Sequence, residues 1–165
     1  MTDMDHAADY TAAAEAPSPK FFDFGSANLT KITDEAQEME LLHFDTEEPL
    51  GVFLMIRGSN SATFKAAARK EANAQRRREF EIKRKGKEAG VRLVEDDNAA
   101  GVALTATLIV GWRTVRGGTS EPVIYQNGRP VPFSEEAVIA WLTEYDWVIK
   151  QISNFAGEVR NFTKS

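Results

Sequence analysis

Between Lys65 and Arg92 the chain carries eleven Lys or Arg against four Glu, and the apolar residues interspersed there are few. Phe64, Ala68, Ala72, Phe80 and Ile82 make a thin stripe at helical spacing; the rest of the surface is basic or small and polar. A helix of that kind has one narrow side to bury and must leave most of its circumference in water, because an unpaired buried cation is too costly. It therefore belongs at the edge of whatever fold the chain adopts. Gly58 with Ser59 or Ser61 supplies a break and a hydroxyl N-cap at its start, so the helix is predicted over about 61–85, with Gly86 and Gly90 ending it. The remaining residues carry nine basic against twenty-one acidic groups, so the net charge of −5 conceals a local +7 and a remainder of −12. Such a division serves an electronegative partner or packs one part of the fold on another.

The chain has 165 residues, 42% of them hydrophobic, with ten Phe and three Trp, enough for one core-bearing domain. Residues 1–20, rich in Ala and Asp and ending in Pro17-Ser18-Pro19, have no sustained apolar period and read as a flexible acidic arm; 21–165 read as a single globular domain. No uncharged apolar run approaches the roughly 18 to 20 residues that span a bilayer, and no basic start precedes an apolar block. Cysteine is absent, which excludes disulfides, thiolate metal sites and a cysteine nucleophile, and suits a reducing compartment.

Two apolar runs, Met39 to Phe44 and Val52 to Ile56, flank turn chemistry at Asp45 to Gly51, which predicts a β-hairpin over about 38–57. Beyond the basic helix, Glu95-Asp96-Asp97 reads as the acidic start of a second helix running through Leu104, Leu108, Ile109, Trp112 and Val115 and closed by Gly117-Gly118. Asn127-Gly128 is a hairpin signal whose second arm the two prolines at 130 and 132 keep short. Ser134 caps a third helix through Trp141, and Val148, Ile152, Phe155, Val159 and Phe162 form one apolar seam on a last helix. The expected fold class is α+β, mostly α: an N-terminal hairpin packed on three or four helices, with a helical C-terminal part over about 95–162. Leu108, Trp112, Trp141, Ile152 and Phe155 are its expected structural core.

The chemical inventory is poor. His6 lies in the arm, His43 sits between Leu42 and Phe44 as a structural histidine, and three consecutive carboxylates at 95–97 point different ways and read as a solvated cap. Gly-rich phosphate loops, a His-Glu-x-x-His pair and a Gly-x-Ser-x-Gly elbow are all missing from the sequence. No catalytic, metal or cofactor site is expected, and the chain reads as a non-enzyme. The basic helix is the one candidate surface, with Arg69, Arg76, Arg77, Arg78, Lys83, Arg84 and Lys85 as partner-binding residues. Three readings compete: a solvated or intramolecular face, a protein partner, and nucleic acid. The last is the weakest, because the domain is acidic and only Phe80 is interleaved among the charges.

The order of short segments in the rest of the chain carries a resemblance. Leu108-Ile109-Val110-Gly111-Trp112, then Asn127-Gly128-Arg129-Pro130-Val131-Pro132-Phe133-Ser134-Glu135-Glu136, an aromatic-rich short helix, and a closing helix ending Asn161-Phe162 resemble tail assembly chaperones of long-tailed bacteriophages. Upstream, Glu48-Pro49-Leu50-Gly51, Arg57-Gly58-Ser59-Asn60-Ser61 and the basic helix with Arg76-Arg77 look like that family's N-terminal half, so the shared order spans about residues 35–162. The arm at 1–20 and the segment Gly117 to Gln126 depart from the pattern. The resemblance implies a non-enzymatic protein of the infected host's cytoplasm, absent from the mature virion, that binds the tape measure protein. It also implies contact with the major tail (tube) protein, a capacity for self-association, and in many members a longer frameshifted product; no membrane is involved. A minor virion tail completion or connector protein, and a small nucleic-acid-binding or host-regulatory protein working through the basic helix, are the alternatives.

Overall fold

A computed structural model describes residues 27–85 and 94–163. The acidic arm at 1–20 and the glycines at 86 and 90 lie outside the described residues. Helix and strand are mixed, in the order α1 (Leu29–Asp34), β1 (Gln37–Leu42), β2 (Pro49–Ile56), α2 (Ala62–Lys85), α3 (Val94–Ala106), β3 (Ile109–Arg116), β4 (Thr119–Glu121), β5 (Val123–Gln126), β6 (Arg129–Pro132), α4 (Glu135–Glu144), α5 (Trp147–Gly157) and α6 (Arg160–Thr163). Strands β1 to β4 form one antiparallel sheet in sequence order, and β5 pairs with β6 in a second.

Two expectations need correction. The first two strands are not an N-terminal hairpin laid on a helical bundle; they are half of a sheet that β3 and β4 complete. The predicted second helix stops at Ala106, and Leu108 to Val115 belongs to a turn and to β3 instead. The spacing of Leu104, Leu108, Trp112 and Val115 suits a helix. Yet the run Ile109 to Val115 is β-branched and aromatic, and β2 holds an open row of backbone donors and acceptors that a third strand satisfies. Trp112 pairs with Leu54 and Thr114 with Val52, both from the inner face of the sheet. Accordingly Gly117 and Gly118, at φ 54° and 81°, turn the chain from β3 into β4 and do not close a helix. The C-terminal part, expected to be helical, is thus helix α3, four strands and then three further helices. The single last helix predicted through Val148, Ile152, Phe155, Val159 and Phe162 is divided: α5 ends at Gly157, and Phe162 sits on the separate turn α6.

Side chains alternate across the sheet as its period of two demands. Met39, Leu41, Leu54, Ile56 and Trp112 are buried on the inner face, where Val138, Leu142, Val148 and Ile152 of α4 and α5 meet them. Glu38, Phe53 and Arg113 stand on the outer face. There the Arg113 guanidinium lies 4.2 Å from the Phe53 ring and forms a two-pronged pair with Glu38, 2.7 Å on each prong. The free edge of β1 is paired at its last residue without a strand: the Gln151 side chain of α5 donates to the Leu42 carbonyl at 2.8 Å and accepts from its N–H at 3.1 Å. An amide side chain there imitates the ladder and blunts an edge that invites mispairing.

Short-range chemistry starts and stops the elements. Ser134 accepts from the Ala137 N–H at 3.1 Å to cap α4, and Asn127 and Gly128, both at positive φ, turn β5 into β6. Gly58 is buried where a Cβ would lie 2.5 Å from Thr33, so only glycine fits between α1 and α6.

Candidate partner-binding surfaces

Helix α2 begins against the body and then leaves it. Its start is held by α1: the Ala62 N–H donates to Asp34 at 2.8 Å, and the Lys65 ammonium donates to the Thr30 hydroxyl at 2.7 Å. The Ser61 hydroxyl accepts a long bond from the Phe64 N–H at 3.4 Å. Half-buried positions recur at Phe64, Lys65, Ala67, Ala68, Glu71 and Ala74, and beyond Ala74 every described position but Ile82 is exposed; of the expected apolar stripe, Ala72 and Phe80 are exposed, because they fall to the side of the face that meets the body. With 24 residues the helix is about 36 Å long, so the part past Ala74 reaches well clear of the sheet.

All the named cations of α2 whose side chains are described, Arg69, Arg76, Arg77, Arg78, Lys83 and Arg84, are exposed; the Lys85 side chain lies outside the described set. At 100° per residue they do not form one cluster. Arg69, Arg76, Lys83 and Arg84 gather with Arg77 on the outward side, opposite the half-buried stripe, whereas Arg78 projects along the continuation of that stripe. Arg76, Arg77 and Arg84 surround Phe80, which is 67% exposed, in a shallow depression that Glu81 completes. Among the described residues Arg76, Arg77 and Arg78 make no ion pair, so the outward side is an open field of cations around one aromatic ring.

A second surface was not legible beforehand. A groove of about 740 Å³ runs between α3 on one side and α4 with α5 on the other, with Ser59 and Phe64 at its end. Val102, Leu104, Leu108, Leu142, Ile149 and Ala156 give it an apolar floor, and Asp97, Asp146 and Ser153 stand among the polar lining groups. Gly101 opens its wall, since a Cβ placed there would meet nothing within 4 Å. The apolar members of the predicted second helix suggest a central helix, apolar almost all round. Helix α3 is instead a lid-like wall, with Asp97, Asn98, Ala99, Gly101 and Ala103 exposed and Val102, Thr105 and Ala106 buried.

The remaining residues singled out from the sequence fall into place as packing. Leu108, Trp112, Trp141 and Ile152 are buried, and Phe155 is only half-buried, edge-on to Phe162 at 5.7 Å between ring centres. Trp112 meets Trp141 at 5.6 Å and Phe133 at 5.4 Å, both edge to face, a geometry the ring quadrupoles favour. Three segments that carry the resemblance therefore converge in one aromatic cluster: the Val-Gly-Trp run, the Pro-Val-Pro-Phe turn and the short helix α4. The Trp112 indole N–H has no hydrogen-bond acceptor among the described residues. His43 accepts at Nδ1 from the N–H groups of Asp45 and Thr46, 3.3 Å each, and so organises the turn after β1. Among the described residues no three acidic or histidine side chains come together in a metal-holding group, and no helix is long and apolar enough to cross a membrane.

Two hydrogen-bonded pairs perturb titration. The Arg113 guanidinium hydrogen-bonds Glu38 and holds that carboxyl below the usual glutamate range. Tyr125 of β5 hydrogen-bonds the Glu121 carboxylate of β4, and that bond raises the phenol above its ordinary value. Both pairs lie on strands, away from α2 and the groove. Compared with protein-family models, with characterised proteins and with solved structures, the chain matches none.

Proposed function

We propose that this chain is a non-enzymatic tail assembly chaperone that binds a phage tape measure protein, and with it tail tube subunits, during tail morphogenesis in the host cytoplasm. The observation that carries the reading is the outward side of α2: a helix whose part past Ala74 is exposed, with cations that make no ion pair to a described acid. A long helical partner exposes apolar seams before assembly and aggregates through them, and a chaperone needs only to cover those seams and to meet their flanking acids. The α2 cations supply the electrostatic half of such a contact, and the groove between α3 and α5 supplies the apolar half. Steering by α2 accelerates encounter more than it deepens final affinity. The convergence of Trp112, Phe133 and Trp141 gives the resembling segments a common physical purpose, which is to brace the groove's supporting helices on the sheet.

Co-expression of the tape measure protein with the wild type and with an Arg76→Glu/Arg77→Glu/Arg84→Glu variant tests the reading. Wild type recovers the partner and the variant loses most of it, with the residual binding weakening further as salt rises. Equal recovery overturns the role of α2, and stoichiometric chain in purified virions points to a structural tail component instead. A second reading, nucleic-acid binding, is favoured by one observation, the exposed Phe80 ringed by Arg76, Arg77 and Arg84, which is the format of a stacking platform. Under that reading Phe80→Ala abolishes single-strand binding while partner capture persists.

A further inference from the structure

The far half of α2 and the groove beside α3 are opposite in chemistry. On α2, Phe80 is 67% exposed and stands among Arg76, Arg77 and Arg84, with Glu81 to the side. A lone exposed phenylalanine is ordinary on a protein surface; what distinguishes this one is that its cationic surround matches the groove. The groove offers about 740 Å³ over an apolar floor. The charged residues that line it are Asp97 and Asp146, both exposed, and the lining includes no Lys or Arg. Phe80 cannot reach the groove of its own molecule. Phe64 lines the end of that groove, and the sixteen residues of unbroken helix that follow place Phe80 about 24 Å further along the axis and about 160° away around it. A seat for Phe80 in such a groove therefore requires a second molecule.

We infer that Phe80, with Arg76 and Arg84, seats in the groove of a second copy of this chain, so that the protein associates head to tail. Arg76 and Arg84 lie one turn before and one turn after Phe80, each within about 40° of it around the helix. With the ring on the apolar floor, their aliphatic stems run along the groove walls and their guanidinium groups reach the acids, as long cationic side chains do at a partly apolar surface. Gly101 leaves the approach open on the α3 side. The buried ring supplies the affinity, and the wet charge pairs supply orientation and speed of encounter. Because tip and groove are different patches, a dimer formed this way keeps one free tip and one free groove, and association continues into a series unless the rotation closes a ring. The inference rests on these two surfaces and not on the proposed function; a tape measure protein enters only as a competitor for both.

Sedimentation of nuclease-treated, full-length protein over a range of concentrations measures the association. Wild type is expected to gain mass past the dimer as concentration rises, and Phe80→Ala, a change at an exposed position, to weaken association by about tenfold or more. A groove variant, Gly101→Leu/Asp146→Lys, places a side chain in the open wall and reverses one charge. Asp146 makes no side-chain cap bond to α5, so Asp146→Lys alone serves if the doubled variant is unstable. The groove variant should likewise stay monomeric where wild type associates. Mixed in equal amounts, the two variants should recover a dimer and no larger species, because one contributes an intact groove and the other an intact tip. In the same mixture the Val102 and Ile149 signals of isotope-enriched Phe80→Ala protein should shift. Wild type that stays monomeric at about 1 mM overturns the inference. So does a groove variant that associates like wild type, the signature of tip-to-tip contact, and so does a mixture that stays monomeric. Association found only before nuclease treatment assigns Phe80 to nucleic acid and overturns it as well. No tape measure protein enters these measurements, so failure of the chaperone reading leaves them interpretable.

Discussion

The sheet with α4 and α5, and the far half of α2, are built from the same chain under opposite rules. In the first, Leu54, Ile56, Leu142, Val148 and Ile152 have no exposed surface, and the one prominent charge pair sits on the outer face. In the second, positions 75 to 81 are all exposed and five of those seven residues are charged. Apolar burial, at about 25 cal/mol per Å², stabilises the first; the exposed charges of the second add almost nothing to folding. The contrast teaches that stability and the proposed partner contact draw on different residues, and substitutions can be chosen to violate or refine that separation.

Trp112→Ala should have the largest effect, a loss of about 3–5 kcal/mol from removing a buried aromatic that two other rings pack against. Thermal or denaturant unfolding measures it, and an unchanged midpoint would mean that the β3 cluster does not anchor the body. Gly58→Ala comes next, at about 1–3 kcal/mol, because the added methyl overlaps Thr33 and Phe162 must shift as well. Gly101→Ala should act in the other direction and stabilise by about 0.5–1 kcal/mol, since the methyl enters open space and a helix-interior glycine is removed. A destabilised Gly101→Ala protein would show that the groove wall is packed and not open.

Glu38→Gln should cost about 0.5–1 kcal/mol at neutral pH, as expected for a well-formed but partly exposed pair. The folded-state carboxyl titrates below the unfolded one, so its contribution is present above the usual glutamate range and is lost as pH falls through the folded value. The difference between wild type and variant, followed by unfolding from neutral to acidic pH, should therefore shrink towards zero; a constant difference would refute the pairing. The smallest effect on folding belongs to Arg76→Glu/Arg77→Glu/Arg84→Glu, within about 0.5 kcal/mol, although the same variant should lose partner capture. Arg78→Glu, pointing along the stripe, should weaken capture less than Arg76→Glu. A reversed order would show that the partner approaches from the body side of α2.

Much of the local structure was legible. The runs at Met39 to Phe44 and Val52 to Ile56 carry the period-two and turn signals of β1 and β2, and Lys65 to Lys85 is too charged to be anything but a wet helix. The groove was not legible, because its walls come from α3, α4 and α5, and no single segment marks Gly101, Ile149 or Ser153 as neighbours. The Glu38–Arg113 pair spans 75 positions, and no spacing rule reaches that far.

By itself the sequence determined the positions where backbone chemistry leaves little choice. Asn127-Gly128 takes the left-handed turn, Ser134 caps α4, and a cation-rich stretch with a thin apolar stripe stays at the surface. Only the tertiary structure decided what Ile109 to Val115 would be. That segment satisfies helical spacing and strand propensity alike, and a lone segment has no means to choose. The open edge of β2 decides it, because its unpaired N–H and C=O groups must find partners and β3 supplies them while turning Trp112 into the core. Likewise, charge alone marked α2 as exposed, but only the packing of α1 against its start, through Asp34 and Thr30, decided which side of its first turns is covered.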